Sequence, residues 1–106
     1  MEFIETKLFS KKLSTLLADE EYRELQAFML EKPESGDIIK GSGGVRKLRW
    51  KGEGRGKRGG LRIIYYLEVP KSCFLMLTMY AKNDLEDLTQ NEIKLLKKIV
   101  EEWDNA

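Results

Sequence analysis

The sequence predicts an α+β domain with the element order β-α-α-β-β-β-α, a small twisted antiparallel sheet packed on an α-hairpin with a C-terminal helix. Three observations carry this. Apolar residues recur at helical spacing from Phe9 to Met29, then three stretches between Val45 and Lys82 turn rich in β-branched and aromatic residues, and a helix-start signature at Thr89 restores the helical period. At 106 residues the chain reads as a single domain, 1–106, large enough for a modest core without metal or disulfide support.

Phe3 to Lys7 is expected to form a short first strand. Phe9, Leu13, Leu16 and Leu17 mark one apolar helical face, and Tyr22, Leu25, Phe28 and Met29 mark a second. Asp19 is the expected N-cap between the two helices, and Glu20 and Glu21 suit the positive end of the second helix's dipole. Lys32-Pro33 and Gly36 close that helix. After a Gly-Ser-Gly-Gly turn, Val45 to Lys51, Leu61 to Val69 and Phe74 to Lys82 read as an antiparallel meander. Gly52 to Gly60 is too rich in glycine for a strand interior and is expected to be a flexible basic loop. Thr89-Gln-Asn-Glu92 fits a capping box, with Leu88 and Ile93 placed as a hydrophobic staple. Ile93, Leu96, Val100 and Trp103 then line one face of the last helix.

Composition excludes several chemistries. The chain has no histidine, so every Ser/His/Asp or Cys/His arrangement and the usual general base are missing. No Cys or His spacing suits a metal, and neither metal nor cofactor is expected. The one cysteine, Cys73, lies in an apolar run and reads as a buried structural thiol in a reducing compartment. No apolar stretch is long enough to span a bilayer and the acidic start is no signal peptide, so a cytosolic protein is expected. Proton transfer in any enzyme built on this chain falls to Lys, Arg, Tyr, Asp or Glu.

Charge is distributed unevenly. Between Lys40 and Arg62 the chain carries nine of its nineteen Lys and Arg residues against one acid, Glu53, in a protein whose formal charge is only +1. A solvated surface mixes its signs, so a block of one sign reads as a seat for a polyanion such as RNA or DNA. Alternation along the strands sorts the block. Leu61, Ile63, Tyr65 and Leu67 form one set and Arg62, Ile64, Tyr66 and Glu68 the other. On the last strand Leu75, Leu77 and Met79 are expected in the core, opposite Phe74, Met76, Thr78, Tyr80 and Lys82. With the helices over the apolar side, the open side gathers Lys47, Arg49, Lys51, Arg62, Tyr66, Tyr80 and Lys82, and Lys57 and Arg58 in the loop can fold over its edge. Guanidinium groups pair with phosphates while aromatic rings stack on unpaired bases, so this combination suits RNA. Tyr65, Trp50 and Trp103 are expected in the core. Glu86 and Asp87 read as surface at the start of the last helix. Arg62, set within a strongly apolar strand, needs exposure or an anionic partner.

The residues Gly36-Asp37-Ile38-Ile39, Gly41, Gly43-Gly44 and Arg46-Lys47 begin a pattern that continues through Gly56-Lys57-Arg58-Gly59-Gly60 and Arg62-Ile63-Ile64-Tyr65-Tyr66. It ends with Thr78-Met79-Tyr80-Ala81-Lys82-Asn83. This combination resembles the HigB branch of the RelE/ParE toxin superfamily over nearly the whole chain. The resemblance implies the toxin of a type II toxin–antitoxin system, which enters the A site of a translating bacterial ribosome and cuts mRNA through attack of a 2′-hydroxyl on the adjacent phosphate. It implies as partners the ribosome, mRNA and a cognate, HigA-like helix-turn-helix antitoxin. By position, Arg62 matches the arginine that clamps the scissile phosphate, and Lys57 is the chosen general base. Tyr80 and Lys82 are further catalytic candidates, and Arg58, Arg55, Arg49, Lys47, Lys51 and Tyr66 are candidates for contact with RNA. The sequence departs from some relatives in having Lys82-Asn83 where they place an arginine, and Trp103 near a C-terminal tyrosine position. Two other functions fit the same fold: a non-catalytic gyrase inhibitor of the ParE type, and a plain RNA-binding or ribosome-associated module.

Overall fold

A computed structural model describes residues 1–51, 60–82 and 87–106. Strand β1 (Glu2–Glu5) leads directly into helix α1 (Lys7–Leu16). Thr6 makes that junction: its Oγ1 accepts from the Phe9 N–H at 3.0 Å, capping α1, and donates to the Leu77 carbonyl at 2.7 Å, fixing the helix to the sheet. Helix α2 (Asp19–Glu31) follows. Its N-cap is Ala18 rather than the expected Asp19; Ala18 makes no side-chain cap bond, and Glu21 accepts from the Ala18 N–H at 3.1 Å. Asp19, Glu20 and Glu21 occupy the first turn, where the helix dipole favours them. Glu5 binds all three elements together, accepting from Ser10 at 2.6 Å and from Tyr22 at 2.8 Å.

Four further strands complete the sheet: β2 (Asp37–Ile38), β3 (Arg46–Trp50), β4 (Leu61–Glu68) and β5 (Cys73–Ala81). Their order is β1-β5-β4-β3-β2. The meander is antiparallel as expected, whereas β1 joins β5 in parallel, made possible by the α-hairpin crossover between β1 and the rest. The two-residue β2 pairs with β3 and carried no strand signal of its own. The α2–β2 connection is tied down by Tyr65, whose hydroxyl donates to the Pro33 carbonyl at 2.8 Å and accepts from Gly36 N–H at 3.0 Å. A Cβ on Gly36 would stand 2.8 Å from the Tyr65 ring, so only glycine fits.

Both faces of the sheet are covered. Phe9, Leu17, Leu25 and Met29 of the α-hairpin pack on Leu48, Leu61, Ile63, Tyr65, Phe74, Met76 and Met79. On the other face helix α3 (Gln90–Asp104) seals a second core through Leu96 and Val100 against Val45, Ile64, Leu75, Leu77 and Tyr80. The reciprocal capping box that starts α3 matches the sequence reading, with Thr89 Oγ1 accepting from Glu92 N–H at 3.1 Å and Glu92 accepting from Thr89 N–H at 2.8 Å.

Two expectations are corrected here. Leu75 and Leu77 face α3, and Phe74 and Met76 face the α-hairpin, the reverse of the alternation read from sequence. The register explains it: Ile64 pairs with Thr78 but Tyr65 pairs with Met76, so Leu77 is an extra residue that inverts the sidedness of β5 before it. Met79 and Tyr80, after the bulge, keep their expected sides. The face expected to be open is instead largely closed by α3, and Arg62 and Tyr80, expected on its open side, are buried.

Candidate functional site

Sheet register assembles the end of the sheet near Arg62. Arg49 of β3 stands directly opposite Arg62 of β4, and Arg62 stands directly opposite Tyr80 of β5. Cross-strand partners share a face with Cβ atoms about 4.5–5.5 Å apart, so Arg49, Arg62 and Tyr80 form one row across the sheet. The next row inward is Asp37, Lys47, Ile64 and Thr78. At the outer edge Lys51 and Lys82 flank Gly60, whose carbonyl accepts from Lys82 N–H at 3.3 Å. Gly60 has φ 71°, and a Cβ there would lie 2.5 Å from the Trp50 carbonyl oxygen. Arg55, Lys57, Arg58 and Glu86 lie outside the described residues.

Within the row, burial differs sharply. Arg49, Lys51 and Lys82 are exposed, whereas Arg62 is 7% exposed and Tyr80 4%. Two guanidinium groups opposite each other in a ladder repel, and the cost is larger where one is withdrawn from water. An arrangement of this kind stabilises an anion placed between them. Arg62 Nη1 also donates to its neighbour's Leu61 carbonyl at 3.4 Å. The Tyr80 ring packs in the α3 core while its hydroxyl is buried without a hydrogen-bond partner among the described residues. Burial pushes the Tyr80 phenol up, the nearby Asp87 carboxylate adds to this and Arg62 opposes it. The phenol therefore stays protonated at neutral pH.

Asp87, read from sequence as surface at the start of the last helix, is exposed as expected, and it also makes contacts that the sequence did not show. Its Oδ1 accepts from Leu88 N–H at 2.8 Å and from Lys47 Nζ at 3.3 Å. The Leu88 bond holds its carboxyl below the usual range, with Lys47 and Arg62 adding to this against burial. Beside it a cavity of about 330 Å³ is lined by Asp37, Lys40, Lys47, Arg49, Asp87 and Ile93 among others. The acidic side chain next to a helix start was legible, but its partner lies 40 residues earlier in the chain.

Not every cation of the basic block converges on this end. Arg46 is structural, with Nη1 donating to the carbonyls of Glu34 at 3.1 Å and Gly36 at 2.7 Å. Tyr66 also stands apart from the row. It pairs with Leu75, about 13 Å along β4 from Arg62 at ~3.3 Å per residue, and donates to Asp104 Oδ2 at 2.9 Å. Trp50 and Trp103 pack against the two cores as expected. Among the described residues no group of His, Cys, Asp and Glu converges to hold a metal ion, and no helix is long and apolar enough to cross a membrane.

Known proteins share this architecture. The fold is similar to that of the isolated E. coli RelE toxin, at 14% identity and a TM-score of 0.57, covering 92% of this chain and 97% of that one. It is also similar to a chain of the intact E. coli RelBE toxin–antitoxin complex, at 15% identity and a TM-score of 0.56, covering 76% and 94%. An arginine-substituted mutant of E. coli RelE in the free state gives 16% identity and a TM-score of 0.56, covering 80% and 86%. Residues 4–106 match the family described as the RelE toxin of the RelE/RelB toxin–antitoxin system. The chain belongs to the RelE toxin family.

Proposed function

We propose that this chain is a ribosome-dependent mRNA endoribonuclease of the HigB-like kind, neutralised by a HigA-like helix-turn-helix antitoxin that masks its basic end. The observation that carries the reading is the row Arg49–Arg62–Tyr80, which joins a buried guanidinium, an exposed one and a protonated phenol on one sheet face. The 2′-hydroxyl oxygen attacks phosphorus and yields its proton to a base, the P–O5′ bond breaks, and the 5′-oxygen takes a proton. The products are a 2′,3′-cyclic phosphate and a 5′-hydroxyl. Arg62 presents its fork to the phosphate oxygens as charge builds up, and burial strengthens that attraction. Tyr80, kept protonated by burial and Asp87, donates to the departing oxygen. Lys57 is assigned as the base, with Arg58, Arg55, Lys51 and Lys82 holding the flanking phosphates.

The test is to induce wild type and Arg62→Ala and to map mRNA 5′ ends from translating cells. The wild type is expected to create new in-frame ends, and Arg62→Ala to lower their rate of appearance by about 10²–10³-fold, the usual cost of removing one transition-state donor. Growth arrest by the wild type with no new mRNA ends overturns the reading.

A further inference from the structure

The Lys47–Asp87 ion pair is too exposed to hold the fold together. The two side chains are 27% and 65% exposed, and pairs of this kind contribute little stability. Yet Asp87 occupies a particular place. It borders the cavity lined by Lys40, Lys47 and Arg49, it lies within the field of Arg62, and its charge acts on the Tyr80 phenol. A carboxylate accepting from a lysine ammonium and a backbone N–H offers its oxygens as a phosphate would.

We propose that Asp87 is an internal counter-anion, standing at Lys47 in the place that an RNA phosphate takes when substrate binds. The inference rests on the RNA-binding reading of this site. In the empty protein Asp87 offsets the repulsion among Lys47, Arg49 and Arg62. On binding, the phosphate takes over Lys47 and the carboxylate, already largely in water, swings away at small cost. Asp87 thus positions Lys47 and sets the affinity threshold of the site, since only an anion stronger than a single carboxylate displaces it. The other carboxylate on the cavity, Asp37, has no such bond with Lys47, although the two residues are paired in the sheet.

The test uses binding and not cleavage. The full chain is titrated with a short single-stranded RNA bearing a 2′-O-methyl group at every position, so that no cut can occur. Asp87→Asn keeps an oxygen for the Leu88 N–H and removes the competing charge. It is expected to tighten binding by roughly three- to fivefold, a size set by the weakness of exposed ion pairs. Asp37→Asn is expected to change it by less than Asp87→Asn does, since Asp37 lines the same cavity but makes no hydrogen bond to Lys47. In a Lys47→Ala background the gain from Asp87→Asn is expected to vanish, the signature of a shared partner. Unchanged or weaker binding by Asp87→Asn, or a gain of equal size without Lys47, overturns the proposal. Absence of binding by the wild type at low salt instead removes the RNA reading itself.

Discussion

Arg62 and Tyr66 occupy the same face of the same strand, four residues apart, and their surroundings are opposite in kind. Around Tyr66 the polar groups tie α3 to the sheet, although the Trp103 indole N–H is buried without a hydrogen-bond partner among the described residues. The Tyr66 hydroxyl donates to Asp104, and Lys71 donates to the Trp103 carbonyl at 3.2 Å while its ammonium lies 5.2 Å from that ring. Burial and the Asp104 bond push the Tyr66 phenol up to about 12. Around Arg62 like charges face each other and a buried hydroxyl lacks a partner among the described residues. The two ends therefore differ in kind: cations face each other across the ladder at Arg62, whereas the contacts at Tyr66 fasten α3 to the sheet.

The largest effect that can sharpen this contrast is on catalysis. Arg62→Ala is expected to cost the mRNA cleavage described above, whereas Tyr66→Phe is expected to leave cleavage within about twofold. Conversely, Tyr66→Phe loses one hydrogen bond to a charged acceptor and is expected to lower unfolding stability by about 1–2 kcal/mol in urea titration. A tenfold loss of cleavage in folded Tyr66→Phe breaks the division between the two ends.

A second test concerns the frame that sets the Arg62 row. Gly60 adopts φ 71° directly before β4, and a Cβ there would press on the Trp50 carbonyl at 2.5 Å. Gly60→Ala is expected to destabilise the protein by about 2 kcal/mol or more, combining left-handed strain with the clash. Since Gly60 lies two residues from Arg62 and beside Lys51, RNA binding is expected to weaken as well. Stability equal to wild type in a melting experiment contradicts this account of the turn.

How much of this was readable in the sequence differs between the two ends. The Arg62 end was legible because its signals are local: an arginine within an apolar strand, a tyrosine on the next, and a one-signed block between glycines. The capping box of α3 was legible for the same reason. The Tyr66 end was misassigned to the open face, since the amphipathic period of α3 tells that it buries a stripe but not which surface receives it. The bulge at Leu77 defeated the sorting of β5, because alternation holds only along uninterrupted pairing and bulges leave no mark in composition. The Lys47–Asp87 pair escaped notice because nothing local links residues so far apart in sequence.

The smallest expected effect lies at the Tyr66 end and depends on pH. The hydrogen bond with Asp104 holds the Glu68 carboxyl above its usual range, with burial and the Asp104 charge adding to it and Lys71 opposing. An acid whose folded pKa is raised favours folding in its protonated form, so that contribution is present in acid and is lost as pH rises through the folded value. The fastening of α3 is thus tighter at mildly acid pH than at neutral pH. Amide hydrogen exchange in the last turn of α3 is expected to be better protected, after correction for intrinsic rates, when pH is lowered into the carboxylate range. Asp104→Asn removes the carboxyl pair and is expected to flatten that dependence, while exchange in β4 near Arg62 stays unaffected. Protection that falls with acidification in the wild type refutes the shared-proton pair and leaves the Tyr66 and Lys71 bonds to hold α3's end.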